Sequence, residues 1–116
     1  VSRLDLRCRP PEIRGNVGLR AHAQPEARHR ALVSIGVLAP YRRSGIGSGL
    51  LKTAIAWALT QGTLDWLDAE IFGHNEPALN LHRRLGFVET GRAPDMFRLD
   101  GTSVDDVRLF LRLRRR

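Results

Sequence analysis

Residues 31–38 read Ala-Leu-Val-Ser-Ile-Gly-Val-Leu, apolar and β-branched enough for a buried strand. Pro40 ends that run, because proline donates no ladder hydrogen bond. The hydrophobic period then changes to that of a helix. Over residues 44–61, Ile46, Leu50, Ala54 and Ala58 fall four apart, and Leu51, Ile55 and Leu59 form the adjacent row of one apolar face. Gly62 reads as the stop. Residues 64–72 alternate again, with Leu67, Ala69 and Ile71 on one face and Trp66, Asp68 and Glu70 on the other. Two strands joined through a helix by such short connections form a parallel, right-handed unit. That excludes an all-β or an all-α fold.

The flanking segments add strands. Leu4, Leu6 and Cys8 alternate with polar residues, Pro10-Pro11 stops that run, and Gly15-Asn16 marks a turn before a strand over residues 17–23. Residues 24–30 are polar and contain Pro25, so a loop is predicted there. Downstream, Pro77 suits the first position of a short helix after Asn75-Glu76, and Gly86 closes it. Leu81 and Leu85, four apart, are predicted to face the core, with Ala78 and His82 on a neighbouring stripe. Phe87 and Val88 start a strand, and Asp100-Gly101 is a hairpin signal between strands at 96–99 and 107–113. The prediction is a single α/β domain over residues 1–116, with a mixed, mostly antiparallel sheet around the central parallel unit.

The join between the 31–38 strand and its helix is the most informative feature chemically. In Arg42-Arg43-Ser44-Gly45-Ile46-Gly47-Ser48, two glycines stand where a helix begins. The first N–H groups of a helix have no intrahelical partner, and the helix dipole is positive there, which together make an anion site. Glycine lets a phosphate approach the backbone, and Arg42 and Arg43 add forked cationic donors. The turn lacks the Gly-Lys-Ser/Thr of a Walker loop and, with Leu50 in place, the third glycine of a dinucleotide fingerprint. A glycine turn of this kind also serves simply to start a helix.

Net charge is +7, and Lys52 is the only lysine, so the excess is arginine. A phosphate-rich ligand or a nucleic acid would suit such a chain. The arginine preference has a bland explanation in codon usage. The run Arg112, Arg114, Arg115 and Arg116 reads as a solvated tail. Cys8 is the only cysteine, which rules out an internal disulfide and fits a reducing, cytoplasmic setting. No apolar run is long enough to span a bilayer, and the first residues lack a signal-peptide core. His22, His29 and His74 show no metal-ligand spacing, and no metal site is predicted.

Two blocks carry a family resemblance. Val37-x-x-Pro40-x-x-Arg43-x-Gly45-x-Gly47, followed by Leu50-Leu51, resembles the acetyl-CoA signature of the Gcn5-related N-acetyltransferase (GNAT) superfamily. Asn75-Glu76-Pro77-Ala78-x-x-Leu81-His82-x-x-x-Gly86-Phe87 is similar to the family's Asn-x-x-Ala-x-x-Leu-Tyr-x-x-x-Gly-Phe segment. Asp100-Gly101 with Asp105-Asp106 resembles the closing hairpin of many members, and the blocks follow family order from about Val17 to Leu113.

The resemblance implies an acyl-CoA N-acyltransferase fold and direct transfer from acetyl-CoA to a primary amine. By position, Ile35, Gly36 and Val37 would pair with the pantetheine arm, and Arg42 through Ser48 would hold the pyrophosphate. Asn75 would bond the cosubstrate, although asparagine there also suits a helix cap. The attacking amine must be neutral, which calls for a base; Glu70 matches the catalytic glutamate of enzymes that acetylate a ribosomal protein's N-terminal alanine. Asp68 is the reserve, and the Val37 N–H is the candidate oxyanion donor. His82 occupies the place of the family's tyrosine, the proton donor to the leaving thiolate; imidazole can donate a proton or simply fill the space.

The chain departs from the pattern at its beginning, where one or two strands precede the 31–38 strand in place of the strand and two helices that usually wall the acceptor pocket. The expectation is a domain lacking its N-terminal portion, or an acceptor wall that comes from elsewhere. That motivates an alternative, an acetyl-CoA-binding domain with little catalysis. A basic nucleic-acid-binding module is the third reading, set back by the lack of an aromatic sheet motif, a zinc site or a helix-turn-helix. A homodimer is common among family members, and Leu109, Phe110 and Leu111 could line one or belong to the core.

Overall fold

The computed structural model describes residues 3–7, 15–37 and 45–114 of the chain. Pro10-Pro11, Cys8, Pro40, Arg42, Arg43 and Ser44 lie outside the described residues, as do Arg115 and Arg116. The described residues group into two compact units, one within Val1–Leu67 and Arg112–Arg116 and the other Asp68–Leu111.

The first unit is built on an antiparallel meander of β1 (Arg3–Arg7), β2 (Gly15–Ala21) and β3 (Arg30–Val37). Its register pairs Val17 with Ile35 and Leu19 with Val33. Val17, Leu19, Ala31 and Val33 are all buried, the period-2 signature of a sheet with one covered face. A single 3-10 turn, Pro25–Ala27, interrupts the predicted loop between β2 and β3.

Helix α1 (Ile46–Thr60) packs on β2 and β3. It buries Leu50, Leu51, Ala54 and Ala58. The outer members of the predicted apolar face, Ile46 and Ile55, are half-buried, and Leu59 is exposed. Each fully buried leucine contributes about 1.5–3 kcal/mol, so this narrow stripe is enough to hold the helix down.

The helix ends differently from expectation. Its cap is Gln61 in an extended conformation, with its N–H on the Ala58 carbonyl, and no left-handed glycine closes the turn. The last turn of α1 holds no basic residue. Arg114 supplies one from far along the chain: its guanidinium donates to the carbonyls of Leu59 at 2.8 Å and Gln61 at 3.2 Å. Arg112 lies over the Trp66 ring at 4.7 Å, with Arg30 also over that ring at 4.8 Å. Arg112 and Arg114 are therefore anchored, contrary to the solvated tail predicted for them, because orphan carbonyls and an indole face both attract guanidinium.

β4 (Trp66–Phe72) begins at the end of the first unit and runs into the second. Leu67, Ala69 and Ile71 are buried along it, matching the predicted alternation. The second unit continues with α2 (Glu76–Arg84), β5 (Val88–Leu99) and β6 (Thr102–Arg112), and β6 lies between β4 and β5. The β5–β6 hairpin turns at Asp100 and Gly101 with φ of 51° and 79°. Two consecutive positive φ values are what a tight turn matched to strand twist requires, and Asp-Gly supplies them cheaply. Both strands extend well beyond the segments predicted from periodicity, because β5 is exposed along most of its length and shows no alternation.

The core of this unit corrects the helix phase. Leu79 and His82 are the buried residues of α2, whereas Leu81 and Leu85 are only half-buried. Residues three apart share a helix face as well as residues four apart, and apolar character alone favoured the wrong row. Leu109 is buried in the core, with Phe110 and Leu111 half-buried beside it in sequence. Among the described residues, no helix is long and apolar enough to cross a membrane.

Candidate active site

Two sets of residues carry chemistry, one in each unit. In the first, β3 delivers the chain to Ile35, Gly36 and Val37, whose partners on β2 are Val17, Asn16 and Gly15. One edge of this strand end is therefore used by β2. At Gly36, an added Cβ would stand 3.1 Å from the Asn16 side-chain oxygen, so the glycine permits a close approach.

Gly45 then opens α1 in a left-handed conformation, φ 87°. No side chain caps this helix, and its first turn holds no acidic residue. The first intrahelical bond of the turn runs from the Gly49 N–H to the Gly45 carbonyl at 3.0 Å. The N–H groups of Ile46, Gly47 and Ser48 precede it and have no i−4 carbonyl within the helix. Nothing lies within 4 Å of where a Gly45 or Gly49 Cβ would sit, among the described residues. Among the described residues, the start of α1 thus offers backbone N–H donors without a side-chain cap, an arrangement that suits an anionic group.

The second unit holds an ionisable cluster. Glu70, exposed on β4, lies 3.6 Å through Oε1 from the Nε of Arg108 on β6. The same Nε donates to Oδ2 of Asp106 at 3.3 Å. Asp106 is almost wholly buried, at 3 % exposure. The Glu70 carboxyl is held above its ordinary range, first by a side-chain hydrogen bond with Asp106, then by desolvation and by the charges of Asp106 and Asp68. The charge of Arg108 works in the opposite direction. A carboxylate tuned upward is a better proton acceptor near neutrality than an ordinary glutamate, provided it still ionises.

His82 is buried at 5 % exposure. Its Nδ1 lies 2.8 Å from the Ala78 carbonyl one turn back, and the ring meets the Phe87 ring edge-on, with centroids 5.0 Å apart. Desolvation lowers its pKa, and the Ala78 carbonyl offsets that in part. With Nδ1–H donating to Ala78, the neutral ring leaves Nε2 as an acceptor. Asn75 caps α2: its Oδ1 accepts from the Ala78 N–H at 3.3 Å. Its side-chain NH2 remains the group with which it could donate to a ligand.

Sequence reasoning passed over Asp106 and Arg108 as site residues. A signal existed: Val104, Asp106 and Arg108 alternate with the buried pair Val107 and Leu109, so a carboxylate and a guanidinium share the β6 face opposite that pair. The neighbouring Asp105 is used structurally, accepting the Asp95 N–H at 3.0 Å and pairing with Arg92 at 3.8 Å. No group of three or more His, Cys, Asp or Glu residues is arranged to hold a metal ion, among the described residues.

Residues 9–87 match the family model described as Acetyltransferase (GNAT) family. YwnH of Bacillus subtilis, provisionally a phosphinothricin acetyltransferase, is 38% identical over 84 residues, 72% of this chain and 51% of that protein. Human N-alpha-acetyltransferase 30 is 39% identical over 87 residues, 75% of this chain and 23% of that one. A crystal structure of a GNAT-family acetyltransferase from Streptococcus pneumoniae superposes with a TM-score of 0.89 at 26% identity, covering 96% of this chain and 67% of the other. The chain thus spans about half the length of its Bacillus relative and about a quarter of the human one. The solved neighbours share the fold class read from the sequence, a mostly antiparallel mixed sheet with one parallel pair.

Proposed function

The chain belongs to the acetyltransferase (GNAT) family, and from that premise we propose that it is an N-acetyltransferase that moves the acetyl group of acetyl-CoA directly to a primary amine. The observation that carries this reading is the uncapped, left-handed start of α1 at Gly45. The N–H groups of Ile46, Gly47 and Ser48 would bind the pyrophosphate, with Arg42, Arg43 and Ser44 completing the turn. Ile35, Gly36 and Val37, at the end of β3, would pair with the pantetheine arm. The Val37 N–H would then be placed to donate to the oxyanion formed when the amine adds to the thioester carbonyl.

Glu70 is the base that removes the proton from the acceptor ammonium. Its support is an exposed carboxylate, on the polar face of β4, whose environment favours holding a proton. Asn75 caps α2 through its oxygen and has its amide NH2 left for the cosubstrate. For His82 the geometry favours packing over acid catalysis. Only the protonated ring could hand a proton to the departing thiolate from Nε2, and burial disfavours that form. This favours, as a second reading, a domain that binds acetyl-CoA and turns it over slowly, the thiolate leaving without a protein acid.

The acceptors to try are those that the relatives' names supply: phosphinothricin and peptides with a free N-terminus. The test combines acetyl-CoA thermal-shift titration with a thiol-release assay on those amines. Glu70→Gln should leave acetyl-CoA stabilisation intact and slow transfer at neutral pH by about 10²–10⁴-fold, the usual contribution of a positioned base. An unchanged rate and pH profile would remove Glu70 from the mechanism.

A further inference from the structure

Asp106 presents an unusual combination. Its carboxylate is almost wholly buried, yet it accepts a hydrogen bond from the half-exposed guanidinium of Arg108, which also reaches Glu70. β6 lies next to β4, so Asp106 and Arg108 come to Glu70 from the adjoining strand. A buried carboxylate with one cationic partner is costly, so a role beyond packing is called for.

We propose that Asp106 is a positioning residue for Glu70: together with Arg108 it fixes the Glu70 carboxylate on its strand and sets the pH above which Glu70 can accept a proton. The inference rests on the reading of Glu70 as the base. The charged groups that bear on Glu70 are Asp68 on its own strand and Asp106 and Arg108 on β6. Of these, Asp106 acts most strongly, by hydrogen bond and by charge, and in the direction of keeping Glu70 protonated. Two carboxyl groups that share one guanidinium do not readily ionise together, so Glu70 keeps its proton to higher pH than a lone glutamate would. Arg108 opposes this.

The direction of the effect follows from the signs. Removing the Asp106 charge removes the two influences of Asp106 that raise Glu70, and Glu70 then ionises at lower pH. Asp106→Asn, nearly the same shape, is the variant to make. Two readouts are needed on the full chain: the Glu70 carboxyl titration by carbon NMR, and the pH profile of thiol release from acetyl-CoA with a free-N-terminus peptide. The expected result is a Glu70 midpoint shifted to lower pH, with the acidic limb of the rate profile shifted the same way. A folded Asp106→Asn protein with an unmoved Glu70 midpoint overturns the proposal, as does a moved midpoint with an unmoved acidic limb. Should Asp106→Asn fail to fold, Arg108→Gln takes its place and should move both quantities to higher pH; no movement there also overturns the proposal. Failure of the base reading is separately visible, since it shows as a Glu70→Gln protein of undiminished rate.

Discussion

The two helices begin in opposite ways. α2 starts at Asn75, whose side chain accepts from the Ala78 N–H, with Glu76 in the first turn and Pro77 where no N–H is required. α1 starts at a left-handed glycine with no side-chain cap and no acidic residue in its first turn. The start of α2 is satisfied from its own sequence, whereas the start of α1 has no side-chain cap. An uncapped start forgoes about 1 kcal/mol that a Ser, Thr, Asp or Asn would provide. On the proposed reading, α1 keeps its uncapped start for the phosphates of acetyl-CoA, whereas α2 closes its own start with Asn75.

The difference between the two mouths can be broken by mutation. The largest effect is expected at Gly45. Gly45→Glu and Gly45→Ala carry the same backbone strain, about 1–2 kcal/mol for a side chain in the left-handed region. Only the glutamate adds negative charge to the mouth. Acetyl-CoA affinity should therefore fall about 100-fold more for Gly45→Glu than for Gly45→Ala, the loss of one or two charge-assisted hydrogen bonds. Calorimetric titration of both variants checks this, and equal losses would mean that charge at the mouth is irrelevant.

A smaller effect is expected at the capped helix. Asn75→Ala should lower stability by about 1 kcal/mol in denaturant melts. Asn75→Asp keeps the capping oxygen and should cost no more than a few tenths of a kcal/mol on the same principle. Asn75→Asp removes the side-chain NH2 and also adds a negative charge, so unchanged acetyl-CoA affinity is its decisive outcome. If Asn75→Asp binds acetyl-CoA as tightly as the wild type, Asn75 is a cap and nothing more.

Much of this arrangement is legible in the sequence, and the exceptions share a cause. The α1 face, the β4 alternation, Pro77 and the Asp100-Gly101 turn are all local signals, each set by residues within a few positions of one another. What failed depends on distant chain. The choice of Leu79 and His82 over Leu81 and Leu85 is made by what α2 packs against, which periodicity over nine residues does not specify. Arg114 finds the end of α1 more than fifty positions away, so a terminal arginine run reads as tail until the strand that delivers it is in place. In the candidate site, Gly45 and Glu70 are legible because spacing and strand parity mark them. Asp106 and Arg108 leave a strand-parity signal, but their nearness to Glu70 emerges when β6 is laid beside β4.

The central physical claim is that phosphate, rather than the protein itself, completes the start of α1. It is tested most directly by following the backbone amide resonances of Ile46, Gly47 and Ser48 while titrating coenzyme A, and then pantetheine, which lacks the phosphates. Large, saturable shifts are expected at these three amides with coenzyme A, and little change with pantetheine. Equal responses to the two ligands, or none to either, would contradict it.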